Sequence, residues 1–382
     1  MSCSTPIPPT VVDYKRRLLS ASTNTDLSAL IDDCLLSFSV VSAPVQKLIC
    51  QIILQNSLLF PDKQTELTAA ILTRLEYRYR LSSKVLDYPT SVNHVYANLE
   101  TNPLHKSYVR CFDEALPSIS YNFFAQNFNA QSRYWSDHNY NDGRDPELPA
   151  TPYFSYVIPV SDLKKDSFTS ALAEIFELCK SQIPSLSSCS KVEFWAHKRP
   201  HSSGHQLHFD SDNEGDDLVV KHPTASAVLY LTDDVGGPTL VTPQRTTSRK
   251  VAKEGWLVFP KQNRLCVFNG SVLHGVVPGK GVCGGGERIT LMFAFWDDVR
   301  VREKKGIPCA AMSYPEDGLV DENGKTSKII QQQHSEEVVP IEVVPIEIDE
   351  IFCDVDSALN KKERRALRRE KSVPCYEEVF QF

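Results

Sequence analysis

The spacing of apolar residues divides the chain into a helical N-terminal region and a later region of short strands. Between residues 11 and 85, apolar residues recur every three or four positions, as in "TDLSALIDDCLLSF" and "DKQTELTAAILTRLEYRYRL". This spacing places an apolar stripe along one face of a helix. Thr25-Asp26 supply a plausible helix cap for the first of these segments. The pattern therefore predicts helices across residues 11–85.

From Pro149 onward the pattern changes to short runs bounded by turn residues. One further helix is predicted for "SFTSALAEIFELCKSQI", after the strand-like "TPYFSYVIPV". The predicted strands that follow are "KVEFWAHKR", "HQLHFD", "SAVLYLT", "TLVTP", "GWLVFP", "LCVFNG", "LHGVVPG" and "RITLMFAFW". Short strands separated by Gly, Pro, Asp and Asn favour an antiparallel sandwich or jelly roll. We predict a mainly β jelly roll, or double-stranded β-helix, which with the helical region makes an α+β protein.

The distribution of apolar, charged and turn residues divides the chain into three predicted parts. We predict a helical N-terminal region over 1–110, a jelly-roll domain over 111–300, and an acidic, then basic, partly disordered tail over 301–382. Residues 121–156 are dense in aromatics without clear periodicity, which favours core packing over a substrate cage. The tail contains a tandem repeat, "VVPIEVVPIE", and a basic segment, "KKERRALRREK".

The composition and net charge of the chain argue against nucleic acid and membranes as partners. The net charge is −7, which gives no overall attraction to nucleic acid or anionic lipid. The longest apolar stretch, "LICQIILQNSLLF", is interrupted by polar residues and too short to cross a bilayer. The eleven cysteines form no C-x-x-C pair, so they indicate reduced thiols. We predict a cytoplasmic or nuclear protein that binds neither nucleic acid nor membrane.

Two motifs fail on their context. "DSDNEGDDLVVK" begins like a calcium-binding loop, but Lys221 occupies the twelfth position, where a bidentate Glu is needed. "GKGVCG" matches a dinucleotide-binding spacing, yet a predicted strand follows it where a helix is required. The sequence therefore predicts neither a calcium loop nor a dinucleotide site.

A third motif, "HQLHFDSD", offers metal ligands. His208 and Asp210 are two positions apart, so on a strand both side chains point to the same face. His274 lies on a later predicted strand, and strands distant in sequence meet in a jelly roll. Two imidazoles and one carboxylate on one face of an ion leave the opposite positions open, as in non-haem Fe(II) oxygenases. We predict that His208, Asp210 and His274 bind a metal ion.

Basic and hydroxyl side chains on neighbouring strands could bind an acid beside this ion. Arg288 lies at the start of the final predicted strand, and its guanidinium fork suits the distal carboxylate of a dicarboxylic acid. Thr290 points to the same face as Arg288 and could add a hydrogen bond. Tyr230, in "SAVLYLTDD", is a further candidate donor.

At these residues the chain resembles the Fe(II)- and 2-oxoglutarate-dependent oxygenase superfamily, and it is most similar to the prolyl 4-hydroxylase-like branch. The resemblance covers roughly 190–298 and rests on "HFD", "SAVLYLTDD", "GGPTLVTP", "LVFPKQNRLCVFNGSVLHGVVPG" and "ERITLMFAFW". It implies iron ligands at His208, Asp210 and His274. It also implies that Arg288 and Tyr230 hold 2-oxoglutarate. The chain departs from the family in its long loop "GKGVCGGG" and in the insert "SDNEGDDLVVKHPTA".

The resemblance implies a 2-oxoglutarate-dependent dioxygenase that hydroxylates a protein or peptide, prolyl residues included, or a small molecule. Fe(II) would be the metal, 2-oxoglutarate and O₂ the co-substrates, and ascorbate a further candidate cofactor. The carboxylate at Asp210 argues against a halogenase. Two alternatives stay open: a cupin-like metalloenzyme that does not use 2-oxoglutarate, and a non-catalytic binding module on the same fold.

The charge of the loop that follows Asp210 indicates which substrates the predicted site would accept. The loop Asp212–Asp217 is acidic, so it would repel an anionic substrate such as nucleic acid and favour a basic peptide or a neutral small molecule. His197 and His205 lie near the motif but out of register with its ligands. We interpret them as surface residues or, at most, as donors that support the ligands.

Overall fold

The computed structural model of the protein describes residues 10–56, 65–77, 79–86, 88, 97–98, 109–141, 154–212, 220–248, 252–282, 286–302 and 310–315, and, nearer the C-terminus, 338, 341–342, 346–347, 352–354 and 379–380. The N-terminal elements are α1 Val11–Ser20, α2 Asn24–Ser37, α3 Ala43–Asn56, α4 Thr65–Arg74, β1 Tyr79–Leu81, α5 Ser83–Leu86 and β2 Ala97–Asn98. The next are β3 Val109–Phe112, α6 Ser118–Asn127, α7 Arg133–Asp137, β4 Tyr156–Pro159 and α8 Ser167–Gln182, with 3₁₀ turns at Val160–Asp162 and Pro184–Ser188.

The remaining elements are all strands. They are β5 Lys191–Pro200, β6 His205–His208, β7 Ala225–Tyr230, β8 Thr239–Arg245, β9 Glu254–Val258, β10 Arg264–Asn269, β11 Val272–Val276 and β12 Glu287–Trp296. Shorter strands follow at β13 Met312–Ser313, β14 Ile341–Glu342, β15 Ile346–Glu347, β16 Phe352–Asp354 and β17 Val379–Phe380.

Two sheets form the body of the protein. The major sheet has the strand order β13-β4-β5-β12-β7-β10-β3-β14-β2, and the minor sheet has the order β15-β9-β8-β11-β6. Neighbouring strands from β4 to β3 and from β9 to β6 run antiparallel. Strands far apart in the chain are neighbours in each sheet, as expected of a jelly roll. The predicted fold is therefore confirmed.

The alternation of residues along β12 shows how the layers are arranged. Ile289, Leu291 and Phe293 join a core with α6 and α8 on the outer face of the major sheet. Met292 and Ala294 belong instead to the core between the two sheets. Because side chains alternate along a strand, the even-numbered positions of β12 face the interior of the sandwich.

The N-terminal helices cover the outer face of the minor sheet. Leu207, Leu240 and Leu273 of this sheet share one core with apolar residues of α1, α2, α3 and α4. The hydroxyl of Tyr88 also donates a hydrogen bond of 2.7 Å to the carbonyl of Pro278. The helical region is thus packed on the jelly roll rather than separate from it.

The predicted N-terminal helices are mostly confirmed, with two corrections. Helix α2 is capped by Thr23, whose side chain accepts a hydrogen bond from the Asp26 backbone in a capping box, and not by Thr25-Asp26. The predicted helix over "DKQTELTAAILTRLEYRYRL" ends early, because Glu76 adopts a left-handed φ of 66°. Tyr79–Leu81 then form a strand that pairs with Phe352–Asp354 and Val379–Phe380. Alternating aromatic and basic residues suit this strand better than a helix.

The aromatic segment packs in the core, as predicted, in the parts that the structure describes. Phe124, Phe128, Tyr134 and Trp135 are buried beneath α8 and the major sheet. The ring of Phe124 meets that of Phe168 edge to face, with centroids 5.6 Å apart. Such pairs stabilise a core beyond the area they bury.

The tandem repeat of the C-terminal region contributes to both sheets. Ile341–Glu342, from the first copy, pair with β2 and β3 in the major sheet. Ile346–Glu347, from the second copy, pair with β9 in the minor sheet. The basic segment 361–371 lies outside the described residues, and the division of the chain into three parts stays a prediction.

No helix in the described ranges has both the length and the apolar character needed to cross a lipid bilayer. The predicted cytoplasmic or nuclear location stays a prediction.

A buried ion pair fixes β10 beside β3. Asp113 accepts hydrogen bonds of 2.6 Å from Nε and 3.0 Å from Nη2 of Arg264, whose side chain is only 1% exposed. Lys261 approaches the same carboxylate at 2.6 Å, but its own side chain is 48% exposed. Burial raises the pKa of Asp113, yet hydrogen bonds from Arg264 and Lys261 outweigh it, so the pKa lies below its ordinary value.

We predict that Asp113→Ala lowers the free energy of unfolding by about 3 kcal/mol, because it removes the carboxylate that compensates the buried charge of Arg264. Lys261→Ala is the matched control and should cost only about 0.5 kcal/mol, since its ion pair is exposed. Urea unfolding of the three proteins measures both values.

The pH dependence follows from the lowered pKa of Asp113. Its stabilisation is fully present above the ordinary pKa of 3.8 and is lost as the pH falls through the lower pKa of the folded state. The difference between parent and Asp113→Ala should therefore shrink below about pH 4. A difference that stays constant down to pH 2 would contradict this account.

Candidate metal centre

The pairing of β11 with β6 brings the predicted ligands together. His274 and His208 are Cα partners across these strands, and Asp210 follows two residues after His208. A side chain at Gly275 would put its Cβ 2.9 Å from the backbone oxygen of His205, so glycine permits the two strands to lie this close. Nε2 of His208 and Nε2 of His274 each lie 3.6 Å from Oδ1 of Asp210.

Hydrogen bonds orient all three side chains toward a common point. Nδ1 of His208 lies 2.7 Å from the carbonyl of Gln206, and Nδ1 of His274 lies 3.0 Å from that of Val272. A carbonyl can only accept, so Nδ1 carries the proton in both rings and Nε2 can present its lone pair to an ion. The hydroxyl of Ser226 donates to Oδ2 of Asp210 at 2.5 Å, which leaves Oδ1 facing the imidazoles.

Burial and mutual attraction set the charges of this cluster. Burial raises the pKa of Asp210, but the charge of His274 and the hydrogen bond and charge of His208 lower it well below its usual value. Burial lowers the pKa of His274 to about 4, against the opposing charge of Asp210. For His208, interactions with Asp210 outweigh burial and raise the pKa. An ionised carboxylate and a neutral imidazole are thus ready to bind a cation.

The donor set fits a divalent transition metal. The candidate ligand atoms of His208, Asp210 and His274 all lie within 4.8 Å of one another. An ion with bonds of about 2.1 Å needs adjacent ligand atoms roughly 3 Å apart, so small side-chain rotations would complete the geometry. Carbonyl partners at the second imidazole nitrogen are typical of metal-binding histidines.

These residues open onto a cavity between the two sheets. Its apolar walls include Trp195, Phe268 and Met292. Arg288 and Thr290 also line it, and both are buried. The structure therefore places these two predicted site residues in the same cavity as the three candidate ligands.

The guanidinium of Arg288 is held at one end but has a free donor. Its Nη2 donates to Thr239 at 3.1 Å, while its buried Nε has no hydrogen-bond partner among the described residues. Burial and the charge of Arg199 lower the pKa of Arg288, against the effect of Tyr230. A Cβ at Gly236 would lie 2.5 Å from Cδ of Arg288, so this glycine, with a φ of 81°, makes room for the side chain.

Tyr230 lies behind Arg288 instead of lining the cavity. Its ring centroid is 5.4 Å from the guanidinium carbon, within the range of a cation–π contact. Its hydroxyl donates to Thr239 at 2.7 Å. The geometry gives Tyr230 a supporting position beneath Arg288 and Thr239.

Sequence reasoning missed several polar residues of this cavity. His197 and His205, which the sequence suggested as surface residues or supporting donors, are half-buried and line the cavity, with ring centroids 5.3 Å apart. Burial lowers the pKa of both imidazoles well below the usual value. Arg199 lines the cavity as well. The alternation of Trp195, His197 and Arg199 along β5 was the signal that could have placed them on one interior face.

Comparisons with known proteins give fold-level likenesses. No protein-family model and no curated protein matches the chain. Among solved structures, it is similar to a prolyl-4-hydroxylase of Pseudomonas putida, with 20% identity over 50% of this chain and 94% of the other, at a TM-score of 0.34. A prolyl hydroxylase of Trichoplax adhaerens, in complex with a hypoxia inducible factor peptide fragment, shares 16% identity over 51% of this chain and 86% of the other, at a TM-score of 0.33.

A third similar structure is HygX from Streptomyces hygroscopicus with nickel and 2-oxoglutarate bound. It shares 14% identity over 56% of this chain and 96% of the other, at a TM-score of 0.33. At these identities and TM-scores, the fold and the site rest on the strand order and geometry of this chain.

We predict that His274→Ala lowers the affinity for Co(II), used as an air-stable probe, by more than about a hundredfold, because two protein ligands hold a divalent ion poorly. His205→Gln is the matched control, since His205 shares the cavity but not the ligand cluster, and its affinity should stay within a few-fold of the parent. Calorimetric titration measures both. Co(II) binding by His274→Ala equal to that of the parent would remove His274 from the centre.

Proposed function

We propose that the protein is an Fe(II)- and 2-oxoglutarate-dependent dioxygenase that hydroxylates its substrate. The observation that carries the proposal is the placement of two complementary groups in one cavity. A cluster of two imidazoles and one carboxylate lies on the side of the minor sheet, and the buried Arg288, with an unpartnered Nε, lies on the major sheet.

His208, Asp210 and His274 would hold the iron and leave positions open toward the cavity. Ser226 keeps Asp210 in place through its hydrogen bond at 2.5 Å. Arg288 would pair with the distal carboxylate of 2-oxoglutarate, with Thr290 beside it on the same strand face. When bound, iron and 2-oxoglutarate supply the oxidation of a substrate C–H bond by O₂, while 2-oxoglutarate leaves as succinate and CO₂.

The protein contributes orientation and a dry environment. Trp195, Phe268 and Met292 give the cavity apolar walls, and apolar walls exclude water from the reacting groups. Burial also strengthens the attraction between Arg288 and an anionic ligand, because little solvent screens it. These features support binding of an acid beside the metal.

The two alternative functions are less well supported by the geometry. A cupin-like enzyme without 2-oxoglutarate would have no use for a buried guanidinium with an unpartnered donor. A non-catalytic binding module would have no use for three ligands oriented by separate hydrogen bonds. The substrate proposed with this function is a peptide, prolyl residues included, or a small molecule, and ascorbate would keep the iron reduced.

The decisive experiment is the conversion of 2-oxoglutarate to succinate by the purified full chain with Fe(II), ascorbate and O₂. We predict slow succinate formation even without the primary substrate, and none with His274→Ala. Nuclear magnetic resonance follows both compounds directly. Absence of succinate from iron-loaded, folded parent protein that binds 2-oxoglutarate would favour the binding module.

Arg288→Lys tests the co-substrate site. Lysine keeps the charge but cannot form the two-pronged pair, so 2-oxoglutarate should bind about ten- to a hundredfold more weakly, or by about 1.5–3 kcal/mol. Fe(II) affinity should hardly change. Thr290→Val is the milder comparison, because it removes at most one neutral hydrogen bond, worth about 1 kcal/mol. An unchanged affinity for 2-oxoglutarate in Arg288→Lys would remove Arg288 from the site.

A further inference from the structure

Two arginines face each other across neighbouring strands of the major sheet. Arg199 of β5 and Arg288 of β12 are Cα partners, so their side chains leave the same face of the sheet. Both line the cavity beside the candidate metal centre. Like charges directly opposite one another destabilise a sheet, and burial increases the cost. Bound anions would compensate the two positive charges and remove this cost.

The two guanidinium groups have different neighbours. Arg288 donates to Thr239 and stacks on Tyr230, on the side of β7 and β8. Arg199 instead reaches the backbone oxygen of Gly204, 3.5 Å from Nη1, at the turn that leads into β6. The two guanidinium groups thus contact different parts of the cavity wall, and the part at Arg199 also includes His205, whose imidazole experiences the charge of Arg199.

Donor atoms in this second part of the cavity have no partner. Nε of Arg199 and Nδ1 of His205 are buried and make no hydrogen bond within the described ranges. Buried polar atoms in folded proteins are nearly always hydrogen-bonded, so an unpartnered pair in a cavity indicates a ligand. Nε of Arg199 can only donate, and Nδ1 of His205 donates when it carries the imidazole proton, so an acceptor such as an oxyanion suits both.

The charge of the cavity gives the same indication. Among the described lining residues, the charged groups are the guanidiniums of Arg199 and Arg288 and the carboxylate of Asp210, so the formal charge is +1. A divalent ion would raise it to +3, and the dianion of 2-oxoglutarate would lower it to +1. One positive charge is left over, and it lies on the side of Arg199.

We propose that Arg199, with His205, forms a second oxyanion site, which binds a carboxylate or phosphate group of the primary substrate. This inference rests on the proposed function, because it assigns 2-oxoglutarate to Arg288. With this site, Arg199 determines which substrate binds. The substrate is then an acid whose oxidised carbon lies near its own carboxylate or phosphate group. The acidic loop Asp212–Asp217 was predicted to repel anions, but residues 213–219 lie outside the described ranges. The described lining of the cavity instead favours anions.

The full chain loaded with Mn(II) tests this site without turnover. Paramagnetic relaxation of ¹³C-carboxyl acetate and of the ³¹P nucleus of inorganic phosphate reports anions bound near the metal. With 2-oxoglutarate saturating, we expect one of the two probes to relax at least tenfold faster with parent protein than with Arg199→Gln. The probe that responds distinguishes a carboxylate from a phosphate substrate.

Lys198→Gln is the matched control for the loss of one positive charge. Lys198 precedes Arg199 on β5 but points to the other face of the sheet, where its ammonium donates to the carbonyl of Ala130 and lies 5.3 Å from the ring centroid of Trp135. This variant should relax both probes as the parent does. Arg199→Lys, which keeps the charge, should retain part of the effect.

Two results would overturn the second site. The first is equal relaxation with parent and Arg199→Gln, or none with either. The second is a loss of 2-oxoglutarate affinity in Arg199→Gln as large as in Arg288→Lys, which would place Arg199 in the co-substrate site. Failure of the proposed function itself gives a different outcome: the parent would not bind 2-oxoglutarate, while acetate or phosphate binding that depends on Arg199 would persist without it.

Discussion

The antiparallel pairing of β11 with β6 is the constraint on which the site depends. It places His274 opposite His208 and brings Asp210 to both rings. A shift of one residue in this register would turn His274 to the outer face, into the core shared with the N-terminal helices. Gly275 permits the pairing, and apolar neighbours such as Leu207 and Leu273 fix it, because they must face those helices.

The sandwich also determines the electrostatics. The two sheets enclose one carboxylate and two guanidinium groups in one cavity, where Arg288 is buried and Asp210 and Arg199 are half-buried. Attraction between unlike charges is therefore strong, and so is the cost of leaving any charge uncompensated. The hydrogen bonds of Ser226, Gln206 and Val272 hold the ligands in one orientation without neutralising them. We expect this arrangement to favour cations on one wall of the cavity and anions on the other.

Much of the fold could be predicted from the sequence, because strand alternation and turn residues are local signals. The same alternation placed Arg288 and Thr290 on one face, as found. Contacts between distant strands carry no such signal. Ser226 binds Asp210 from another strand, and β1 forms only because Phe352–Asp354 and Val379–Phe380 pair with it. Thr23 was missed for a different reason, since Ser22, Thr23 and Thr25 are chemically similar caps and only backbone geometry selects one.

The tandem repeat near the C-terminus has a consequence for how the chain folds. Its two copies pair with β3 of the major sheet and β9 of the minor sheet, strands that precede them by more than 80 residues. During synthesis both sheets can assemble well before these partners leave the ribosome. Until then, backbone amides and carbonyls on one side of β3 and β9 lack these hydrogen-bond partners. Unpaired strand edges of this kind can associate with other chains. Two pairings that lie within seven residues of the chain, 341–347, thus remove unpaired strand positions from both sheets.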